Sequence, residues 1–153
     1  MRMVEVPGRP MLELAYLVLD VNGTLTDHGV LIDGVEPALR KLQETLELHL
    51  LSADTFGSLA AIAATLGVNS HVVRDGGEKA DFVRKTGSKH CVAIGNGAND
   101  EAMLREAVLG IALIGPEGAT PATIAAADVV CSSIGDALAL LLSERALSAT
   151  LRP

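Results

Sequence analysis

Apolar and polar positions fall in blocks along this chain, and the blocks alternate between two lengths. Leu14 to Asp20 (LAYLVLD) is an unbroken apolar run that ends in an acid, the pattern of a strand buried on both faces. A turn-rich stretch from Gly23 to Gly34 follows, with Val30, Leu31 and Ile32 between two Asp/Gly clusters, and predicts a small β-hairpin. Pro37 then opens a helix whose apolar positions Val35, Leu39, Leu42 and Leu46 recur at helical spacing. Glu47 to Leu51 is a second strand. Its helix runs from about Thr55 to Leu66 and stops at Gly67, a C-cap residue. The same alternation predicts strands at His71–Val73, Cys91–Ile94, Gly110–Ile114 and Val129–Cys131. Helices are predicted at Glu78–Lys85, Asn99–Ala107, Pro121–Ala127 and Ile134–Leu142. The polar tail from Ser143 to Pro153 is expected to fray.

Alternating strands and helices imply a mostly parallel sheet with helices on both faces. Right-handed crossovers then bring every strand's C-terminal end to one edge, where ligands bind at the switch in strand order. The fold class is therefore α/β, a three-layer Rossmann-like arrangement with a hairpin flap after the first strand. Residues 21–34 leave no space for an inserted cap domain. The 153 residues suit one domain, 1–153, with a core over about residues 12–142.

Composition narrows the function. The hydrophobic share of 49% excludes a disordered chain. Tyr16, Phe56 and Phe82 are the only aromatics, too few for a platform on which bases stack. A formal charge of −7 is the wrong sign for a general phosphate-backbone binder. Nucleic acid is thus not an expected partner. Cys91 and Cys131 sit in apolar runs and make no metal spacing. Met1 to Pro10 has no apolar signal core, and no apolar run approaches the ~18–20 residues of a membrane span. A cytoplasmic protein without a membrane partner is the expectation.

The strand ends carry the chemistry. Asp20 closes the first strand and is followed by Val21, Asn22, Gly23, Thr24, Leu25 and Thr26; Ser52 and Ala53 follow the second; Lys79 comes after the third; Gly95-Asn96-Gly97-Ala98-Asn99-Asp100 follows the fourth. Each cluster alone has an ordinary reading as a turn, a helix cap or a solvated charge. Their joint arrival on one sheet edge favours a site. Competing motifs fail on spacing. The third glycine of a dinucleotide fingerprint falls on Asp100, and no phosphate-binding P-loop is present. A calcium-loop register starting at Asp20 puts Leu25 and Leu31 where glycine and glutamate are needed. His28, His49, His71 and His90 are scattered and read as surface or packing residues.

Asp20 to Thr26 (DVNGTLT) resembles the first motif of the haloacid-dehalogenase-like phosphohydrolases, D-x-D-G-T-[LV]-[TV]. Ser52, Lys79 and Gly95–Asp100 are similar to the second, third and fourth motifs, in the same order. The run NGTLT also resembles the P-type ATPase signature, so the chain looks like the small, capless, soluble P-type-ATPase-like branch. The resemblance implies a phosphatase working through a phosphoaspartyl intermediate on Asp20. It implies Mg²⁺ held by Asp20, the Asn22 carbonyl, Asn96 and Asp100. Gly23, Thr24, Ser52, Ala53 and Lys79 would bind phosphate, and Asp20, Asn22, Ser52 and Lys79 would form the catalytic set.

Two positions depart from the pattern. The second acid of the first motif, the usual general acid/base, is Asn22, and an amide does not shuttle protons at neutral pH. The leading acid of the fourth motif is Asn96, which removes a negative charge from the metal site. Slow turnover is expected. The alternative is a catalytically impaired phosphate- or partner-binding regulator; a response-regulator receiver fits less well, because no paired acids follow the first strand. Without a cap the site should be open, which suits a phosphorylated small molecule or a phosphoprotein. Exposed Val30, Leu31 and Ile32 on the 23–34 hairpin would then serve as a flap or a homo-oligomer contact.

Overall fold

In the computed structural model, which describes residues 1–153, six strands run parallel in one sheet. Along the chain come β1 (Arg2–Val4), β2 (Leu12–Leu14), β3 (Tyr16–Asp20), β4 (Thr26–Asp27), β5 (Val30–Leu31) and α1 (Val35–Leu42). Then follow β6 (Glu47–Ser52), α2 (Leu59–Leu66), β7 (Asn69–Val72), α3 (Gly76–Thr86), β8 (Cys91–Gly95) and α4 (Glu101–Glu106). The chain ends with β9 (Leu109–Leu113), α5 (Pro121–Ala126), β10 (Val129–Cys131), α6 (Ile134–Leu142) and α7 (Glu144–Leu151). The main sheet has the order β10-β9-β8-β3-β6-β7. The chain therefore steps from β3 through β6 to β7, then returns to the other side of β3 at β8. That reversal opens a crevice between the C-terminal ends of β3 and β8, where such folds take ligands.

The two faces are unequal. One face forms an apolar cluster of 29 buried residues, the other a cluster of 10. β3 is central and contributes to both: Leu17 and Leu19 belong to the larger cluster and Val18 to the smaller. The core is aliphatic because nearly every strand position is Leu, Val, Ile or Ala.

Several boundaries differ from the sequence expectation. The run Leu14–Asp20 splits at Ala15: Leu14 belongs to β2, which pairs antiparallel with β1 in a separate two-stranded sheet. The second helix starts at Leu59, not Thr55, because Asp54 Oδ1 accepts the Leu59 N–H and holds residues 55–58 in a turn. α3 begins earlier, at Gly76, capped by the Asp75 carboxylate on Glu78 N–H. The tail does not fray. Ser143 caps α7, whose Leu147 and Leu151 are buried in the larger cluster, and Ser148 Oγ donates to the Glu5 carbonyl. The flap exists as β4–β5, but only Val30 of its apolar residues is exposed; Leu31 and Ile32 pack against the core.

Candidate active site

The crevice is a cleft of about 340 Å³ lined by Asp20, Asn22, Ser52, Ala53, Thr55, Lys79, Asn96, Gly97, Asn99 and Glu117. A larger cleft of about 560 Å³ opens at the other end of the strands, beside Tyr16, Glu47 and Asn69. Its only charged side chain is Glu47, whereas the smaller cleft brings Asp20, Lys79 and Glu117 together.

Asp20 stands at the end of β3, and α3 delivers Lys79 beneath it. Lys79 Nζ donates to Asp20 Oδ1 at 2.7 Å and to Asp100 Oδ1 at 2.7 Å. Lys79 is 1% exposed and Asp100 0%, so two carboxylates share one ammonium away from water. The second oxygen of each carboxylate is also engaged. Thr24 Oγ1 donates to Asp20 Oδ2 at 2.9 Å. Asp100 Oδ2 accepts the N–H groups of Asn96 (2.9 Å) and Gly97 (3.0 Å), which fixes the loop after β8. Gly95 is needed there, because a Cβ would collide with the Asp100 side chain.

These contacts set the protonation behaviour. Burial, and then the charge of Asp100, push the Asp20 carboxyl up to about 6 against the pull of Lys79 and Thr24. Burial pulls Lys79 down, but Asp20 and Asp100 outweigh it and hold the ammonium above its ordinary value. Lys79 is thus firmly charged, while Asp20 remains a carboxylate in need of a second cation. The Cys91 thiol, buried in the smaller core cluster, is pushed up to about 12 and takes no part.

The first-motif loop turns tightly over Val21, whose carbonyl accepts the N–H groups of Thr24, Leu25 and Thr26. Gly23 has φ +75, a conformation that glycine adopts without cost. Ser52 Oγ accepts the Asp54 N–H at 2.9 Å and gives its own hydrogen to no protein group. Asn96 Nδ2 donates to the Gly118 carbonyl at 3.0 Å, so its Oδ1 faces the cleft, 3.4 Å from Thr24 Oγ1. Asp20, Asn96 and the first-motif backbone therefore present hard oxygen donors, which fit Mg²⁺. Asp100 is fully buried, does not line the cleft and gives its oxygens to Lys79, Asn96 and Gly97, so this set leaves it out.

Of the residues singled out from the sequence, Asp20, Asn22, Ser52, Ala53, Lys79 and Asn96 line this cleft, while Thr24 and Asp100 are fully buried and bonded to Asp20 and Lys79. Gly23 forms the turn against which the Glu117 side chain lies. The sequence reading passed over Glu117 and Thr55 as cleft residues. Glu117 could have been found: Pro116 and Gly118 flank it in a turn just past β9, on the same sheet edge. The histidines lie elsewhere, with His49 buried beside His71 and Phe82.

The chain belongs to the haloacid dehalogenase-like hydrolases, a family it matches over residues 52–139. An uncharacterised protein of Methanocaldococcus jannaschii is 51% identical over 72 residues, which are 47% of this chain and 77% of that relative. Among solved structures, the fold is similar to a cobalt-bound deoxy-D-mannose-octulosonate 8-phosphate phosphatase of Haemophilus influenzae. The TM-score is 0.72 at 17% identity, over 92% of this chain and 94% of that one. A 3-deoxy-D-manno-octulosonate 8-phosphate phosphatase of Moraxella catarrhalis, in complex with magnesium, phosphate and KDO, gives a TM-score of 0.69 at 20% identity. It covers 91% of this chain and 94% of its own. At these identities the structural likenesses speak for the fold. No helix is long and apolar enough to cross a membrane.

Proposed function

We propose that this hydrolase is a Mg²⁺-dependent phosphatase that passes the phosphoryl group through Asp20. The observation that carries this reading is the Asp20–Lys79–Asp100 ion triad at the sheet's switch point. It holds one oxygen of Asp20 while the carboxylate still faces a cleft wide enough for a phosphate. The bound metal found in both phosphatases of the same fold supports the choice of a divalent cation.

The roles follow from the contacts. Asp20 attacks phosphorus, and the ester oxygen departs with its electron pair. Lys79 holds the attacking carboxylate and meets charge on the phosphoryl oxygens. The Ser52 hydroxyl, with no protein acceptor, donates to one of them, and the backbone of Gly23, Thr24 and Ala53 receives the rest. Asp20, the Asn22 carbonyl and Asn96 would hold Mg²⁺, which would offset the repulsion between carboxylate and phosphate. Asp100 serves the site by anchoring Lys79 and the loop after β8. Water then attacks the aspartyl phosphate, releasing inorganic phosphate and restoring Asp20. With Asn22 in place of an acid, this second step is slow. The open cleft admits either a phosphorylated small molecule or a phosphoprotein.

Asn22 and Asn96 also favour a second reading, a binding module without turnover. One experiment separates the two. The protein is incubated with Mg²⁺ and a chromogenic phosphate ester, and the initial burst and the hydroxylamine-labile phosphoenzyme are quantified. A burst close to one equivalent, absent from Asp20→Asn, is expected. No phosphoenzyme and no phosphate release would leave only the binding module.

A further inference from the structure

We infer that Glu117 supplies the second carboxylate of the cation site, in place of the acid that position 96 lacks. The inference rests on the phosphatase reading for the cation itself and adds a residue from a different loop to its ligands.

Charge is the first argument. Asp20 and Asp100 together face a single ammonium, Lys79. That leaves one unit of negative charge for a divalent ion, and neither oxygen of Asp100 is free to reach it. Asn96 contributes an oxygen but no charge. Sites with one carboxylate hold divalent cations weakly, since ligand charge is a main lever on affinity.

Geometry is the second. The turn Gly115–Gly118 closes on itself by the Gly118 N–H to Gly115 carbonyl bond. It is fastened to the fourth motif from both sides: Asn96 Nδ2 donates to the Gly118 carbonyl, and the Thr120 N–H donates to the Asn96 carbonyl. The same turn packs on the first motif, with Gly115 against the Gly23 carbonyl. The Glu117 carboxylate fills the space that a side chain on Gly23 would occupy. It therefore lies beside the residue that follows Asn22, in the cleft lined by Asp20, Asn22 and Asn96.

Lack of any other partner is the third. Asp20, the one other carboxylate lining this cleft, is tied to Lys79, whereas Glu117 forms no ion pair and no side-chain hydrogen bond. A carboxylate set against a first-motif glycine, in the cleft that Asp20 lines and without a cation of its own, is free to take one.

The test is Mg²⁺ titration by calorimetry, without substrate, on the wild type, Glu117→Gln, Asn96→Asp/Glu117→Gln and Glu101→Gln. Thermal unfolding in chelator confirms that each is folded. Glu117→Gln is expected to lose at least about tenfold in affinity. The double variant regains most of it, because the acid returns at position 96, and Glu101→Gln, outside the cleft, matches the wild type. Three results would overturn the inference: Glu117→Gln binding within about twofold of wild type, no recovery in the double variant, or an equal loss in Glu101→Gln. If the wild type binds no Mg²⁺ and forms no phosphoenzyme, the phosphatase reading falls as well. A wild type that forms the phosphoenzyme while Glu117→Gln keeps full Mg²⁺ affinity removes Glu117 alone.

Discussion

The cleft has two walls built on opposite principles. On the inner wall, Asp20, Thr24, Lys79 and Asp100 are buried and their polar atoms are matched within the protein. On the outer wall, Ala53, Thr55 and Glu117 are exposed, and Glu117 has no partner. The inner wall is assembled by folding, and the core above and below fixes its geometry. The outer wall contributes little to stability and can change residue without endangering the fold. The two departures from the family pattern fall on either side of this divide: Asn22 is half-buried at the cleft, whereas Asn96 is buried with its amide bonded to the Gly118 carbonyl. The comparison predicts that substitutions on the inner wall cost stability and those on the outer wall cost function.

Lys79→Met breaks the comparison most severely. It removes the one cation between two buried carboxylates, and breaking such a pair costs about 3–5 kcal/mol. Urea denaturation measures it; a loss under about 1 kcal/mol would mean that water reaches the triad. Gly95→Ala comes next. Its methyl displaces an Asp100 side chain whose oxygens are all engaged, and overpacking of this kind costs about 1–3 kcal/mol. Thr24→Val keeps shape but removes a donor from the Asp20 carboxylate, a charged hydrogen bond worth about 1.5–3 kcal/mol.

The pH dependence of stability sharpens the same contrast. In the folded protein Asp20 keeps its proton up to about pH 6, against an ordinary value of 3.8. Between these values the folded state binds more protons than the unfolded one, so stability falls as pH rises across the window. Melting temperatures in chelator should show wild type losing ground to Asp20→Asn from pH 4 to pH 6. Mg²⁺ should cancel the loss. A difference that stays flat with pH would mean that Asp20 is not desolvated.

Most of the sheet was legible because its strands are unbroken apolar runs bounded by glycines and acids. Strand order was not, and it is the order that places Asp20 opposite the Gly95–Asp100 loop. The β1–β2 pair escaped notice because its strands are three residues each and carry no long periodicity. α7 escaped because half of its eight positions are polar and only two carry large apolar side chains, although Leu147 and Leu151 stand one turn apart and fall on one buried face. The start of α3 was hidden by Gly76 and Gly77, which read as loop. Gly76 is there because its backbone passes close to the Asn99 carbonyl, where a Cβ would clash. Asp20, Ser52, Lys79, Asn96 and Asp100 could be nominated from strand ends alone. Glu117 also follows a strand end, in the turn after β9, but its local sequence does not say that this turn folds over Gly23.

Asn22→Asp makes the smallest change and separates stability from chemistry most cleanly. Asn22 is half-buried at the cleft, its side chain makes no hydrogen bond, and its backbone pairs with Thr26. The substitution leaves that backbone intact, so stability should stay within about 0.5 kcal/mol of wild type. The new carboxyl can take a proton from the attacking water, a contribution of about 10²-fold or more. Phosphoenzyme formed on Asp20 and then chased without substrate should decay faster by that factor in Asn22→Asp, with an unchanged melting temperature. Faster decay together with a large loss of stability would mean that position 22 belongs to the inner wall. Unchanged decay would show that proton transfer at position 22 does not limit release of the phosphate, and that slow turnover arises elsewhere in the cleft.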